Sequence, residues 1–163
     1  MIIVDLETTG FSHRSDKIIE VGAVELEKRN GWHIVEVFYS RINPYRHLPM
    51  SIQNLTGLKD EDVKGAPGFD DIADQLLVFM EGHKIIGYNV GFDKRFLIAA
   101  DSRFRYFVYV DYLAYLRKIC PGLRSYKLDE VIRRFWVVCP PHHSVEGDIK
   151  SVMQLIQRFG PPI

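Results

Sequence analysis

The sequence has few cysteines, no excess of charge of either sign and no long apolar run. Its two cysteines, Cys120 and Cys139, are too few for a disulfide framework, so we expect a protein of the reducing cytoplasm. Lys and Arg together number 21, as do Asp and Glu, which excludes a strong overall field drawing the molecule to nucleic acid or to a membrane. No apolar run approaches the roughly 18–20 residues of a membrane span. We therefore expect a soluble protein without membrane contacts that holds any partner through local features.

Internal repeats, low-complexity segments and interdomain linkers are also absent from the sequence. With 163 residues and 47% hydrophobic residues, the chain can bury one substantial core, which predicts a single domain over residues 1–163. Its first part contains three segments rich in Ile and Val that are separated by short polar links. They predict three antiparallel strands, at MIIVDLE, KIIEVGAVELE and WHIVEVFYSRINP.

The second part of the sequence alternates between helices and strands. Residues 51–69 are rich in glycine and predict a loop-rich connection with at most one short helix. Apolar residues at helical spacing then predict an amphipathic helix that ends at Gly82. Further strands are predicted at KIIGYNV and YFVYVD, and further helices at FDKRFLIAA, YLAYLRKIC, YKLDEVIRRFW and after CPPHH. The pattern predicts an α/β fold with a mixed five-stranded sheet, three antiparallel strands followed by parallel ones, between two helical layers.

Two acids, Asp5 and Glu7, end the first predicted strand. Because side chains alternate between the faces of a strand, these two carboxylates point the same way. Like charges side by side are unfavourable unless they share a proton or a cation lies between them. The pair therefore predicts a metal site, with two solvated acids at a strand end as the alternative.

Two further acids lie where the predicted fold places ligands. Asp93 begins a helix directly after the KIIGYNV strand, and Asn89 lies at the end of that strand. The alternative for Asp93 is an acid that interacts only with the helix dipole. Asp148 borders the apolar stripe of the last predicted helix, and an inward-facing carboxylate must be paired or must bind a ligand.

A histidine precedes the last of these acids by five residues. At about 100° per residue His143 and Asp148 do not share a helical face, so we expect His143 on the preceding loop, where it suits a base better than a metal ligand. The alternative is an exposed polar residue. Zinc bound by Cys120, Cys139 and the two adjacent histidines, His142 and His143, fits no usual spacing. Four acids without a sulfur ligand favour Mg²⁺ or Mn²⁺, and a pair of such ions supports phosphoryl transfer.

Three motifs, in order, resemble those of the DnaQ-like 3′–5′ exonucleases of the DEDD type, in the subgroup with histidine in the last motif. They are VDLETTGF, GYNVGFDKRFL and HHSVEGDIKSV. The intervening sequence is also similar to the proofreading exonuclease domains of bacterial DNA polymerase III, so that the resemblance covers nearly the whole chain. It implies a ribonuclease H-like fold, release of nucleoside 5′-monophosphates from the 3′ ends of DNA, and a DNA polymerase III catalytic subunit as a partner.

By position, the resemblance also implies the roles of individual residues. Asp5, Glu7, Asp93 and Asp148 would hold two divalent ions, Mg²⁺ or Mn²⁺, and His143 would act as the general base on the attacking water. The residues that the resemblance places against the terminal nucleotide are Thr8, Thr9, Leu55, Thr56, Asn89 and Phe92. For Leu55 and Phe92, burial in the core is an equal alternative.

The natural substrate is less visible in the sequence than the reaction. We expect single-stranded DNA to be preferred, with RNA exonuclease activity on the same fold as the main alternative and a non-catalytic binding module as a weaker one. Residues 101–134 contain eight basic side chains against four acids, an excess that fits a phosphate backbone and a solvated helical face equally well. The basic residues are Arg103, Arg105, Arg117, Lys118, Arg124, Lys127, Arg133 and Arg134.

Overall fold

The centre of the fold is a mixed five-stranded sheet. The structure is a computed structural model that describes residues 1–137 and 144–162. Its strands are β1 (Ile2–Thr8), β2 (Ile18–Lys28), β3 (Trp32–Arg41), β4 (Lys84–Gly87) and β5 (Val108–Asp111). They lie in the order β3-β2-β1-β4-β5, with β1, β2 and β3 antiparallel and β4 and β5 parallel to β1. The predicted mixed sheet is confirmed.

Helices connect and cover the strands. They are α1 (Met50–Thr56), α2 (Asp60–Lys64), α3 (Phe69–Met80), α4 (Gly91–Ala100), α5 (Tyr112–Ile119), α6 (Leu128–Arg134) and α7 (Val145–Phe159), with a 3₁₀ helix at Ser102–Tyr106. Among the described residues, none of these helices has the length and apolar character needed to cross a bilayer.

The segment after β3 differs from the prediction of at most one short helix, because it forms both α1 and α2. Helix α1 ends at Gly57, whose φ of 77° lies in the left-handed region that glycine adopts without strain. The next two residues lead directly into α2 at Asp60. Each helix buries a single apolar residue, Ile52 or Val63, which is too weak a pattern for a helical period to be read from the sequence.

The alternation of β1 divides the core into two layers. Ile2, Val4 and Leu6 pack on one face of the sheet with residues of α3 and α4. Ile3 packs on the opposite face with residues of α5, α6 and α7. Asp5 continues the Ile3 side of the strand, so the acids of β1 point towards the layer that contains α7. The predicted three-layer arrangement is therefore present, and it determines which helix faces the acids.

Gly22 allows α7 to lie directly on the sheet. It is the cross-strand partner of Asp5 in the β1–β2 pair. A Cβ atom at this position would lie 2.1 Å from Cγ1 of Val145 and 3.0 Å from Cδ1 of Ile149. Because these side chains occupy the space above Gly22, the first turns of α7 reach the acidic end of β1, and Asp148 arrives there with them.

We expect Gly22→Ala to destabilise the protein by about 1–3 kcal/mol, because the added methyl group must push α7 away from β2. Equilibrium urea unfolding measures the change. The matched control is Gly65→Ala, since a Cβ atom at Gly65 meets no described residue within 4 Å and the φ of −95° suits alanine. The control should stay within about 0.5 kcal/mol of the wild type. Equal stability of the Gly22→Ala variant and the wild type would contradict the close approach of α7.

Candidate active site

Three carboxylates meet at the end of β1. Asp5 and Glu7 extend from β1, and Asp148 comes from the first turn of α7. Each side chain offers an oxygen within 4.8 Å of the oxygens of the other two, and all three residues are half-buried. The structure thus brings together three of the four acids predicted as ligands.

The fourth predicted acid, Asp93, lies next to this group and is more deeply buried. It sits in the first turn of α4 with 4% of its surface exposed. Burial raises the pKa of Asp93 to about 8, although the nearby backbone groups of Asp93 and Leu6 act to lower it. Leu6 lies between Asp5 and Glu7 in β1, so Asp93 lies beside the strand that carries the other acids.

Burial and mutual repulsion together disfavour the charged forms of the acids on β1. Burial is the larger cause for Asp5, followed by the charges of Asp93, Asp148 and Glu7, and the pKa of Asp5 lies well above its usual range. The pKa of Glu7 is raised to about 8, again by burial first and then by Asp148, Glu20 and Asp93. Without a cation, the folded protein therefore has to retain protons at this site near neutral pH.

The site fits a divalent cation held by oxygen. Oδ2 of Asp5 is buried and accepts no hydrogen bond from any described residue. Leaving such an atom unsatisfied costs about 1–3 kcal/mol, more for a charged group, and a cation between the three carboxylates would remove that cost. In the described part of the chain no cysteine or histidine joins the group, so its donors suit Mg²⁺ or Mn²⁺ better than zinc.

Other predicted residues fall outside the described part of the chain. His143, the predicted general base, is one of these, together with His142 and Cys139, which were considered for zinc. The role of His143 therefore stays a prediction. The described chain resumes at Ser144, whose hydroxyl caps α7 by accepting a hydrogen bond from the backbone N–H of Gly147 at 3.2 Å.

A cleft of about 900 Å³ opens in front of the three carboxylates. Four of the six residues predicted to contact the terminal nucleotide line it: Thr8, Leu55, Asn89 and Phe92. Leu55 is 41% exposed, so the alternative of burial in the core is wrong for this residue. Phe92 is half-buried, and the centroid of its ring lies 4.8 Å from that of the core residue Phe96. Phe92 therefore borders both the core and the cleft.

The other two predicted nucleotide contacts, Thr9 and Thr56, do not line this cleft. The Thr9 side chain is buried in the turn after β1, where its hydroxyl donates to Oδ1 of Asp16 at 3.2 Å and accepts from the N–H of Lys17 at 3.0 Å. The Thr56 hydroxyl donates to the carbonyl of Ile52 at 2.9 Å at the end of α1. Thr56 lines a separate groove beside β3. Both hydroxyls are thus engaged in local structure, as is that of Thr8, which donates to the carbonyl of Gly10 at 2.6 Å. The roles of these threonines at the terminal nucleotide stay predictions.

The turn between β4 and α4 positions one side of the cleft. The predicted strand KIIGYNV stops at Gly87, because Asn89 adopts a left-handed conformation with a φ of 61°. The backbone N–H of Asn89 donates to Oδ1 of Asp111 at 2.9 Å, and the same oxygen accepts from Leu113 at the start of α5. A single carboxylate at the end of β5 therefore fixes both the turn with Asn89 and the start of the next helix.

A fifth acid, Glu20, was missed by the sequence reasoning. It is the cross-strand partner of Glu7 and is 6% exposed. The Tyr39 hydroxyl donates a hydrogen bond to Glu20, and Arg41, the β3 partner of Glu20, binds Asp62 at 3.1 Å. The available signal was a lone acid in the otherwise apolar stretch IIEVGAV, but only the register of β1 and β2 places it beside Glu7.

Other residues of the cleft were also missed as site residues. Phe11 lines the cleft and is 82% exposed, although a large aromatic side chain would ordinarily be buried. Arg117 and Lys127 belong to the basic segment noted above, where nothing in the sequence distinguished them from their neighbours. Their position in the cleft depends on the packing of α5 against β4 and of α6 against α7.

Similar sequences occur in bacterial DNA-processing proteins. The chain is 31% identical over 157 residues to a PolC-type DNA polymerase III of Caldanaerobacter subterraneus, with 94% of this chain and 11% of the relative covered. It is 31% identical to the same type of polymerase from Thermotoga maritima, covering 97% of this chain and 12% of the relative. The 3′-5′ exonuclease DinG of Bacillus subtilis is 30% identical, and the alignment covers 90% of this chain and 16% of the relative. The chain thus spans 11% to 16% of the length of these relatives.

The fold is shared with solved exonuclease structures. Exonuclease X in complex with 5′ overhanging duplex DNA aligns with a TM-score of 0.74 at 17% identity, covering 99% of this chain and 93% of that one. Escherichia coli Exonuclease I in complex with a dT13 oligonucleotide aligns with a TM-score of 0.82 at 16% identity, covering 96% of this chain and 40% of that one. These likenesses confirm the ribonuclease H-like architecture predicted from the sequence.

A family model described as Exonuclease matches residues 2–156, which include the whole sheet and all the acids discussed above. This family generally depends on divalent metal ions, and the cluster of Asp5, Glu7 and Asp148 is compatible with such ions. With that match extending over nearly the whole chain, the protein belongs to the exonuclease family.

Proposed function

We propose that this chain is a metal-dependent 3′–5′ exonuclease unit that hydrolyses the terminal phosphodiester bond of single-stranded DNA and releases nucleoside 5′-monophosphates. The observation that carries the proposal is the group of three carboxylates, within 4.8 Å of one another, at an open cleft of about 900 Å³. The names of the relatives, PolC-type DNA polymerase III and 3′-5′ exonuclease DinG, support DNA as the substrate.

The proposed chemistry assigns the acids to metal binding. Asp5, Glu7 and Asp148 would hold two divalent ions, Mg²⁺ or Mn²⁺, together with Asp93. Such ions, when bound, stabilise negative charge on the attacking and leaving oxygens of a phosphodiester. We assign the general-base role to His143 from its place five residues before Asp148 in the third motif, and a positioned base of this kind contributes about 10²–10⁴-fold to the rate.

The remaining walls of the cleft suit the terminal nucleotides. Leu55, Phe92 and the exposed ring of Phe11 offer apolar surface on which bases can pack. An unpaired strand presents the faces and edges of its bases to such surfaces, whereas a duplex keeps its bases stacked. This difference supports our proposal that single-stranded or frayed 3′ ends are preferred over blunt duplex ends.

We further propose that the exonuclease serves a DNA polymerase by removing nucleotides from the 3′ end of a growing strand. The support is the similarity to PolC-type polymerases, whose sequences align with 94% and 97% of this chain in two cases. A DNA polymerase III catalytic subunit is accordingly the partner to test first.

The decisive experiment is the release of 5′-mononucleotides from a 3′-labelled single-stranded DNA oligomer and from an RNA oligomer of the same sequence. Each is incubated with Mg²⁺, Mn²⁺ or a chelator, using the wild type and Asp148→Ala. We expect mononucleotides only with metal, more from DNA than from RNA, and none from the variant. The matched control is Glu146→Ala, because Glu146 lies two residues before Asp148 on α7 with 71% of its side chain exposed. Faster cleavage of RNA than of DNA would make RNA the proposed substrate. The absence of cleavage with either metal would refute the exonuclease activity.

A further inference from the structure

The cleft extends beyond the acids to a basic wall formed by the end of α5 and the start of α6. Arg117 and Lys127 line this part of the cleft, and both side chains are exposed. Among the described residues, neither forms an ion pair with a carboxylate. By contrast, Arg103 binds Asp101 at 2.6 Å outside the cleft, so its charge is locally neutralised.

The basic wall is fixed to the active site by aromatic residues. The Arg117 guanidinium lies 5.5 Å from the ring centroid of Tyr126. The Tyr126 hydroxyl donates to the carbonyl of Cys120 at 2.8 Å, and the Tyr88 hydroxyl donates to the carbonyl of Tyr126 at 2.6 Å. Tyr88 precedes Asn89 in the turn between β4 and α4, which also lines the cleft. The segment between α5 and α6, which carries Lys127 and contacts Arg117 of α5 through Tyr126, is therefore tied to that turn.

Charges of both signs line the same cleft. Asp5, Glu7 and Asp148 supply negative charge, and Arg117 and Lys127 supply positive charge. One acid, Asp129, also lines the basic wall, with Oδ2 lying 3.8 Å from an Nη atom of Arg133. An anionic strand whose last phosphate reaches the metal site needs cations for the phosphates that follow, and two cations that form no ion pair with any described carboxylate meet that need in the same cleft.

We propose that Arg117 and Lys127 bind the phosphates upstream of the terminal nucleotide and so make a strand of several nucleotides the preferred substrate. This inference rests on the proposed exonuclease function. It also assigns different roles to residues of the basic segment 101–134. Arg117 and Lys127 serve the substrate. Lys118 and Arg124 are exposed and do not belong to the cleft lining, so they belong to a solvated face.

A series of substrate lengths tests this assignment. The dinucleoside monophosphate TpT has only the phosphate that is cleaved, whereas a dT8 oligomer has further phosphates upstream. For Arg117→Gln and Lys127→Gln we expect kcat/KM on dT8 to fall roughly five- to tenfold through KM, with less than a twofold change on TpT. The slope of log kcat/KM against log salt on dT8 should become shallower by about 0.7 for each cation removed.

The matched controls are Lys118→Gln and Arg124→Gln, which remove neighbouring charges from the same segment. Both should act like the wild type on both substrates. Equal losses on dT8 and TpT would overturn the proposal, since they would place the effect at the catalytic centre or in the fold. Losses in the controls as large as those in the cleft variants would overturn it as well, since general attraction would then explain the effect.

A binding measurement separates this inference from the proposed function. A protein that hydrolyses neither dT8 nor TpT would refute the exonuclease activity. The basic wall is then tested by the fluorescence anisotropy of a 5′-fluorescein-labelled dT8 oligomer with the same four variants. If only Arg117→Gln and Lys127→Gln bind this oligomer roughly five- to tenfold more weakly, the result supports the proposed phosphate binding by these two residues. Unchanged binding overturns it.

Discussion

Asp5→Asn is expected to lower kcat/KM for 5′-mononucleotide release by about 10²–10³-fold at saturating metal, similar to the loss of a single oxyanion-stabilising donor. The substitution keeps the size of the side chain but removes the charge of the carboxylate that interacts with every other acid at the site: Asp93, Asp148, Glu7 and Glu20. Oδ2 of Asp5 has no hydrogen bond within the described chain, so the amide replaces no protein contact of that atom. The measurement is the initial rate on a single-stranded oligomer at a series of metal concentrations.

The metal series distinguishes the role of Asp5 from a loss of folding. If Asp5 is a ligand, the variant should need more metal for its residual activity than the wild type does. The control is Asp70→Asn, an exposed acid in the first turn of α3, which should keep the activity and the metal requirement of the wild type. An Asp5→Asn variant that retains more than about a tenth of the wild-type rate would contradict the central position of this carboxylate in the site.

Features that depend on short-range spacing were predicted correctly. The alternation of β1 placed Asp5 and Glu7 on one face, and the structure brings an oxygen of each within 4.8 Å of the other and of Asp148. The apolar spacing of α3 predicted a helix that ends near Gly82, and the helix runs from Phe69 to Met80. Periodicity decides these features because each follows from which face of one element is buried.

Features that depend on register or on a single backbone conformation were not predictable. Glu20 is buried beside Glu7 only because β1 and β2 pair at those positions. The strand β4 ends early because Asn89 takes a left-handed conformation that its N–H bond to Asp111, 22 residues away, supports. Both depend on contacts between distant parts of the chain, which a single sequence does not specify in its local pattern.

The predicted nucleotide contacts illustrate the same limit at single side chains. The first motif supplies both Thr8 and Thr9 as predicted contacts. The structure places Thr8, the last residue of β1, in the cleft lining and Thr9 in the following turn, where its hydroxyl donates to Asp16. The motif alone does not distinguish the two residues, because the difference depends on the bond between Thr9 and Asp16, seven residues along the chain.

The second large effect concerns stability. Without metal, the free energy of unfolding should fall as pH rises from 5 to 8, by about 2–4 kcal/mol for each buried carboxyl group that keeps its proton in the folded chain. Glu7 and Asp93 have a pKa of about 8 in the folded protein, against ordinary values of 4.5 and 3.8. In this interval the unfolded chain has released these protons and the folded chain retains them, so rising pH favours unfolding. Urea unfolding in chelator at pH 5 and pH 8 measures the difference, and Asp5→Asn should reduce it by removing one of the repelling charges.

Divalent metal should reverse this trend, because its ligands must be deprotonated and its affinity for them therefore rises with pH. Metal that binds only the folded chain adds stability in proportion to the logarithm of its concentration relative to its Kd. At pH 8, saturating Mg²⁺ or Mn²⁺ should stabilise the wild type more than Asp5→Asn, whereas at pH 5 both gains should be small. The control Asp70→Asn should follow the wild type throughout. A metal-free stability that rises from pH 5 to pH 8, or an equal gain from metal in the wild type and Asp5→Asn, would show that the burial and mutual repulsion of these carboxylates do not control the stability of the site.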